Sequence, residues 1–168
     1  IREHVTINRG TMATKNTVVG CNCFIMAYCH IAHDCQIGNN CVMANAVNLA
    51  GHVIIKDHVI IGGMTAIKQF TKIGEHCMIS GGSLVRKDVP PFIKVAKEPL
   101  KFLGINIVGL KRRLFNNKEI SIIKETYREI FQNGSNTSEA IKIIEKQKKL
   151  KKEEKIIIEF IKTSKQGI

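Results

Sequence analysis

Tryptophan is absent, aromatic residues make up only 5% of the chain, and three prolines occur in 168 residues. Scarce aromatics remove the stacking platforms on which nucleic-acid bases are held, and no nucleic-acid motif is present, so no nucleic-acid partner is expected. No apolar run approaches the roughly 20 residues of a membrane span. No secretory signal pattern opens the sequence either, and a soluble, cytoplasmic protein with no transmembrane segment is expected. The six cysteines lack CxxC spacing, which argues against a zinc site. A disulfide framework is out of place in an intracellular chain.

With 44% hydrophobic residues the chain is too apolar to be disordered. Its length suits one domain, or one domain with an appendage. The net charge of +12 is uneven: residues 1–96 carry 9 basic and 5 acidic side chains, residues 97–168 carry 17 and 9. That asymmetry fits an acidic partner or ligand docking near the C-terminal part, or a lysine-rich solvated helix face.

Every sixth residue from Ile1 is aliphatic or Met through Val85, with Ala13 the single exception. The residue after it is often small, as at Gly20, Ala32, Gly38, Ala50, Gly62 and Gly74. The fifth position of each hexad is small or β-branched: Val5, Thr11, Thr17, Cys23, Cys29, Cys35, Cys41 and onward to Cys77 and Val89. A strict period of six with one aliphatic per unit is the signature of a parallel β-helix. It resembles the left-handed β-helix of hexapeptide-repeat acyltransferases, in which three hexads make one eighteen-residue coil of a triangular prism. Residues 1–92 are thus expected to form about five coils, with the cysteines as small packing residues. The repeat is already in register at Ile1, so several further coils are expected upstream.

Pro90-Pro91 ends the periodicity, because proline has no N–H for a continuing ladder. Helical spacing takes over from about Leu103. Helices are expected over 119–132, stopped by Gly134, over 137–150, and over 153–163. Residues 93–168 are assigned to a small helical domain at the C-terminal end of the prism, with its Lys146–Lys155 stretch a solvated surface.

Eighteen-residue stacking puts His33 in one column with Gly51 and Gln69, and Asp34 in the next column with His52 and Phe70. A histidine oriented by a carboxylate, beside a glycine whose N–H can approach an oxyanion, suits general-base chemistry. The alternatives are an ordinary polar surface, which would make the protein a non-catalytic scaffold, and a shared zinc site of the γ-carbonic-anhydrase type. The latter is disfavoured because His4, His58 and His76 fall on other columns.

The segments Ile1–Thr11, Met26–Cys35 (MAYCHIAHDC), Leu49–Val53, Ile61–Ala66 and Asn106–Arg113 (NIVGLKRR) are together similar to the UDP-N-acetylglucosamine O-acyltransferases, which open lipid A biosynthesis. The resemblance runs to about residue 165. It implies a homotrimer that moves a 3-hydroxyacyl chain from acyl carrier protein to the glucosamine 3-hydroxyl of UDP-N-acetylglucosamine. His33 matches the general base, Asp34 the residue that orients it, and the Gly51 N–H the oxyanion donor. His30, His52 and Gln69 match substrate contacts, and Asn106 and Arg112 match residues that hold the nucleotide sugar. Arg113 suits carrier-protein docking, and Gly81 matches the position that measures acyl length. No cofactor or metal is implied; the carrier protein's phosphopantetheine belongs to the substrate. Lys68 replaces a histidine usual in the family and Val108 replaces a glutamate, while an aspartate and a lysine on the family's earlier coils lie outside this sequence.

Overall fold

The structure is a computed structural model that describes residues 1–132, 136–147 and 149–168. Thirteen two-residue strands come first: β1 (Thr6–Ile7), β2 (Val18–Val19), β3 (Phe24–Ile25), β4 (His30–Ile31), β5 (Gln36–Ile37), β6 (Val42–Met43), β7 (Asn48–Leu49), β8 (Ile54–Ile55), β9 (Ile60–Ile61), β10 (Ala66–Ile67), β11 (Lys72–Ile73), β12 (Met78–Ile79) and β13 (Leu84–Val85). Longer strands β14 (Ile93–Ala96) and β15 (Lys101–Ile105) follow. They form three sheets, in the orders β1-β4-β7-β10-β13, β2-β5-β8-β11 and β3-β6-β9-β12-β14-β15. Every pairing is parallel except β14 with β15. The expected left-handed parallel β-helix is therefore the fold of this part.

One residue of each two-residue strand points inward, and it is the aliphatic residue of the hexad. Ile31, Leu49, Ile67 and Val85 stack from the first sheet, Ile37, Ile55 and Ile73 from the second, Ile25, Met43, Ile61 and Ile79 from the third, all buried. The chain turns between strands at a residue in the left-handed region. Tyr28, Asp34, Asn40, Ala46, His52, His58, Met64, Phe70 and His76 all have φ between 56 and 65°. Each such non-glycine residue costs about 1–2 kcal/mol. The inter-coil hydrogen bonds and the buried axis offset that cost.

The cysteines do more than fill space. The thiols of Cys23, Cys29, Cys35 and Cys41 donate to the carbonyls of Gly38, Ala44, Ala50 and Lys56 on the next coil, at 3.0–3.2 Å. The Thr65 hydroxyl makes the same contact to Ser80 O at 3.3 Å, and Cys77 reaches Pro90 O at 2.9 Å. Burial raises the thiol pKa of Cys29 and Cys35, and pushes those of Cys41 and Cys77 up to about 12.

Two features depart from an even count of five coils. Thr6 pairs with His30, not with residue 24, so the first coil holds one extra hexad. Met12 and Ala13 are exposed, and the hexad expected to place Ala13 on the axis is instead a loop between β1 and β2. Four coils, β1–β3 to β10–β12, carry three strands each, and a last coil is completed by β13, a bridge from Ile73 to Val89, and β14. The ladder also continues past Pro90-Pro91, because β14 pairs with β12 two residues out of the regular register (Met78 with Lys94). The shortening precedes the prolines, because Ile73 already pairs with Val89 across sixteen residues.

Residues 93–106, expected to go with the helices, thus continue the prism, and residues from Leu103 to Ile105 are strand. One compact unit comprises Ile1–Asn106 and Ser164–Ile168, the other Ile107–Thr163. The closing residues join the first unit through Asp88, whose carboxylate accepts from Lys72 N (2.7 Å), Ser164 Oγ (2.8 Å), Lys165 N (3.1 Å) and Gln166 N (3.3 Å).

The second unit contains α1 (Ile107–Arg112), α2 (Asn117–Phe131), α3 (Thr137–Gln147) and α4 (Lys152–Lys162). Asn116 caps α2 reciprocally with Glu119, at 3.0 and 2.7 Å. Ile120, Ile123, Tyr127, Ile130, Ile141, Ile144, Ile157 and Phe160 are buried, while Phe131 is exposed. The helix stop expected at Gly134 lies outside the described residues. No helix among the described residues is long and apolar enough to cross a membrane.

Ile55→Ala, in the middle of the axis, is expected to cost about 2–5 kcal/mol in a denaturant titration. In the native state at pH 8 a thiol reagent should label exposed Cys21 rapidly and leave Cys41 and Cys77 unlabelled until the chain unfolds.

Candidate active site

His33 and Asp34 occupy the corner between β4 and β5. His33 keeps 41% of its side chain exposed, while that of Asp34 is fully buried. The His33 Nδ1–H donates to Asp34 Oδ2 at 2.8 Å, which leaves Nε2 as the ring's free lone pair. The tautomer follows from that hydrogen bond.

The buried carboxylate is satisfied from the loop between β1 and β2. Thr11 N–H donates to Oδ1 at 2.9 Å, the Thr11 hydroxyl donates to Oδ2 at 2.7 Å, and the Thr14 hydroxyl donates to Oδ1. The Asp34 N–H in turn donates to Thr17 Oγ1 at 2.9 Å. Burial alone would push the Asp34 carboxyl up. The hydrogen bonds from Thr14, Thr11 and His33 outweigh it and hold the pKa well below the ordinary carboxylate range.

One coil further on, Gly51 lies under the imidazole. A Cβ there would sit 2.6 Å from His33 Cε1 and 2.8 Å from Nε2, so only glycine lets the ring lie in this position. The Gly51 N–H has no hydrogen-bond partner among the described residues. The His52 ring packs edge-on against His33 (5.2 Å between centroids) and stacks on Phe70 (4.8 Å). Its Nε2 is 3.6 Å from Asp34 Oδ2. The ligand atoms of His33, Asp34 and His52 lie within 4.8 Å of one another. A cation there would have to displace the hydroxyl, amide and imidazole donors that already occupy the Asp34 oxygens. The donor set therefore suits an oriented histidine better than a metal.

Of the residues singled out from the sequence, the prism brings His33, Asp34, Gly51, His52 and Gln69 to one corner, with Gln69 exposed. His30 lies on the adjoining face in β4, where its Nδ1 is 2.7 Å from the Thr6 hydroxyl. Gly81 is exposed at the far edge of that face, beside Gly63, whose carbonyl oxygen would lie 2.9 Å from a Cβ at residue 81. Asn106 belongs to a different corner; it is buried and donates through Nδ2 to His76 O at 2.9 Å. Arg112 is exposed in α1, and Arg113 follows that helix and donates to Gly109 O at 3.2 Å; both belong to the second unit. Lys68 is exposed on the first sheet next to Gln69, and Val108 is exposed on α1. Sequence reasoning missed Thr11, Thr14 and Thr17. The one signal for them is Ala13, the weakest member of the six-residue period.

A prism of hexads is the architecture of hexapeptide-repeat proteins, and residues 16–51 match the bacterial transferase hexapeptide repeat. Residues 88–168 match a second family description, UDP-N-acetylglucosamine O-acyltransferase, domain 2. An acyl-[acyl-carrier-protein]–UDP-N-acetylglucosamine O-acyltransferase from Campylobacter lari is 45% identical over 146 residues, covering 86% of this chain and 55% of the relative. The crystal structure of a UDP-N-acetylglucosamine acyltransferase from Bacteroides fragilis superposes with a TM-score of 0.95 at 45% identity, covering all of this chain and 66% of that one. A Campylobacter jejuni structure of the same description gives a TM-score of 0.88 at 37% identity, with 100% and 68% covered. The chain belongs to the UDP-N-acetylglucosamine O-acyltransferase family. It spans about half the length of the curated relatives it matches, 41% and 55% for two of them.

Asp34 titrates in the folded state below its ordinary range. Its ionisation therefore adds stability that is fully present above about pH 5 and is lost as pH falls through about 4 and below. Asp34→Asn should lower the melting temperature at pH 7, and the gap to the parent protein should narrow steadily between pH 5 and pH 3.

Proposed function

We propose that this chain carries the acyl-transfer centre of an enzyme that moves a 3-hydroxyacyl group from acyl carrier protein to the 3-hydroxyl of UDP-N-acetylglucosamine, the entry reaction of lipid A biosynthesis in the cytoplasm. The observation that carries the reading is the His33–Asp34 pair over the Gly51 amide. His33 Nε2 takes the proton of the sugar 3-hydroxyl as that oxygen attacks the thioester carbonyl carbon. The tetrahedral oxyanion is met by the Gly51 N–H. As the intermediate collapses, the carbon–sulfur bond breaks. The imidazolium returns its proton to the departing phosphopantetheine thiolate, and His33 is neutral again.

Asp34 holds the imidazole in the Nε2-basic tautomer and steadies the imidazolium. His30, His52 and Gln69 contact the sugar. Asn106 and Arg112 hold the nucleotide, the guanidinium suiting a diphosphate. Arg113 and its neighbouring lysines receive the acidic carrier protein, and Gly81 leaves room for the acyl chain. The reaction needs no cofactor or metal.

The working assembly is a homotrimer. Two features support it. Asn106 and His33 belong to different corners of one prism, so a cleft that uses both draws them from neighbouring copies. The third sheet also presents Phe24, Val42, Ile60 and Met78 outward as an apolar column, a surface fit for a second copy.

A transfer assay with 3-hydroxyacyl carrier protein and UDP-N-acetylglucosamine tests the reading. His33→Ala is expected to lose about 10²–10⁴-fold in kcat. Full activity in that variant would refute the base assignment, and no transfer by the parent chain would favour a non-catalytic scaffold. Sedimentation at micromolar concentration should give three times the mass of the chain.

A further inference from the structure

The regular prism contains one inserted hexad, and it emerges at the corner that holds Asp34. From β4 to β13 the first sheet keeps the eighteen-residue register (His30 with Asn48, Asn48 with Ala66, Ala66 with Leu84). Only β1 and β4 are joined across 24 residues, Thr6 with His30. The surplus chain puts three threonines around one aspartate. The Thr11 hydroxyl accepts a hydrogen bond from Ala13 N–H at 3.2 Å, which directs its own proton to Asp34 Oδ2. The Thr14 hydroxyl lies 3.1 Å from Asn16 O, but its shorter contact, and the charge, are with Asp34 Oδ1.

We infer that Thr11 and Thr14 are positioning residues for acyl transfer: their hydroxyls fill the carboxylate's other acceptor sites, so that Asp34 offers His33 a single lone-pair direction and the imidazole is held in one plane and one tautomer. This rests on His33 acting as the base.

The physical case is one of burial and number. A carboxylate removed from water must recover its hydration from fixed donors. A carboxylate with vacant lone pairs would let the His33 ring swing between Oδ1 and Oδ2, or be recruited by His52, whose Nε2 already stands 3.6 Å from Oδ2. With Thr11 N–H and Thr14 on Oδ1 and the Thr11 hydroxyl on Oδ2, the open direction on Oδ2 faces His33 Nδ1. The titratable groups near Asp34 are His33, His52 and the buried Cys35 thiol; Lys15, in the loop itself, is exposed. Thr17 acts on the other side of the residue, accepting from the Asp34 N–H and so fixing the corner backbone.

The test compares Thr11→Val and Thr14→Ala with Thr11→Ser and Thr14→Ser. Each hydroxyl deletion is expected to lower kcat about tenfold while leaving KM for the nucleotide sugar within twofold, and serine is expected to restore kcat. Carbon-13 NMR of the Asp34 carboxyl should show it titrating at higher pH in the Thr11→Val/Thr14→Ala double variant than in the parent. Unchanged kcat in an active protein overturns the inference, and so does a loss that serine fails to restore. If the parent shows no transfer, the functional reading fails by itself. The carboxyl titration then decides the positioning claim, and an unmoved Asp34 overturns it.

Discussion

The whole prism depends on the parallel hydrogen-bond ladder between coils, closed by a left-handed residue at each regular corner. Two-residue strands have no stability of their own; a strand such as Ile54–Ile55 persists because the coils before and after it satisfy its backbone and cover its aliphatic side chain. The ladder also forces residues such as His52, Met64 and Phe70 into a backbone region that their side chains disfavour. Because the turn recurs at every sixth residue, side chains at the corners pile into columns along the prism. His52 on Phe70 and His58 on His76 are direct results.

The site exploits that geometry. A corner residue and its predecessor project side by side, so an Asp–His pair at one corner is held rigidly without a helix or a long loop to support it. The next coil supplies the surface beneath, and glycine is demanded at residue 51 because the imidazole occupies the space a Cβ would fill. Burying Asp34 carries a desolvation cost, which the inserted hexad offsets with two hydroxyls and an amide. The inserted hexad thus breaks the repeat at the corner that holds the buried carboxylate.

Asn106, proposed to hold the nucleotide, is at a different corner of the prism from His33. Asn106 is fixed against the His76 backbone, and Arg112 and Arg113 belong to the helical unit. The three sheets give the prism flat faces. A homotrimer, as proposed, would give such a shape a cleft by placing one face opposite another.

The amino-acid sequence by itself determined the prism, its axis and the His33–Asp34–Gly51–His52–Gln69 cluster. A period of six is a property of the chain, and column neighbours follow from it by arithmetic. Sequence also placed the cysteines at the fifth position, though not their role as donors to the next coil, since a small residue there satisfies the pattern whatever its chemistry. Tertiary structure decided what arithmetic does not reach. The extra hexad keeps the six-residue rhythm, so Ala13 looks like a weak core residue until the pairing of Thr6 with His30 expels it. The ladder runs on past Pro90-Pro91, where β14 pairs with β12 two residues short of the regular register. The three threonines meet Asp34 only because the surplus hexad folds back over the corner, a contact set by the register between coils and by no spacing along the chain.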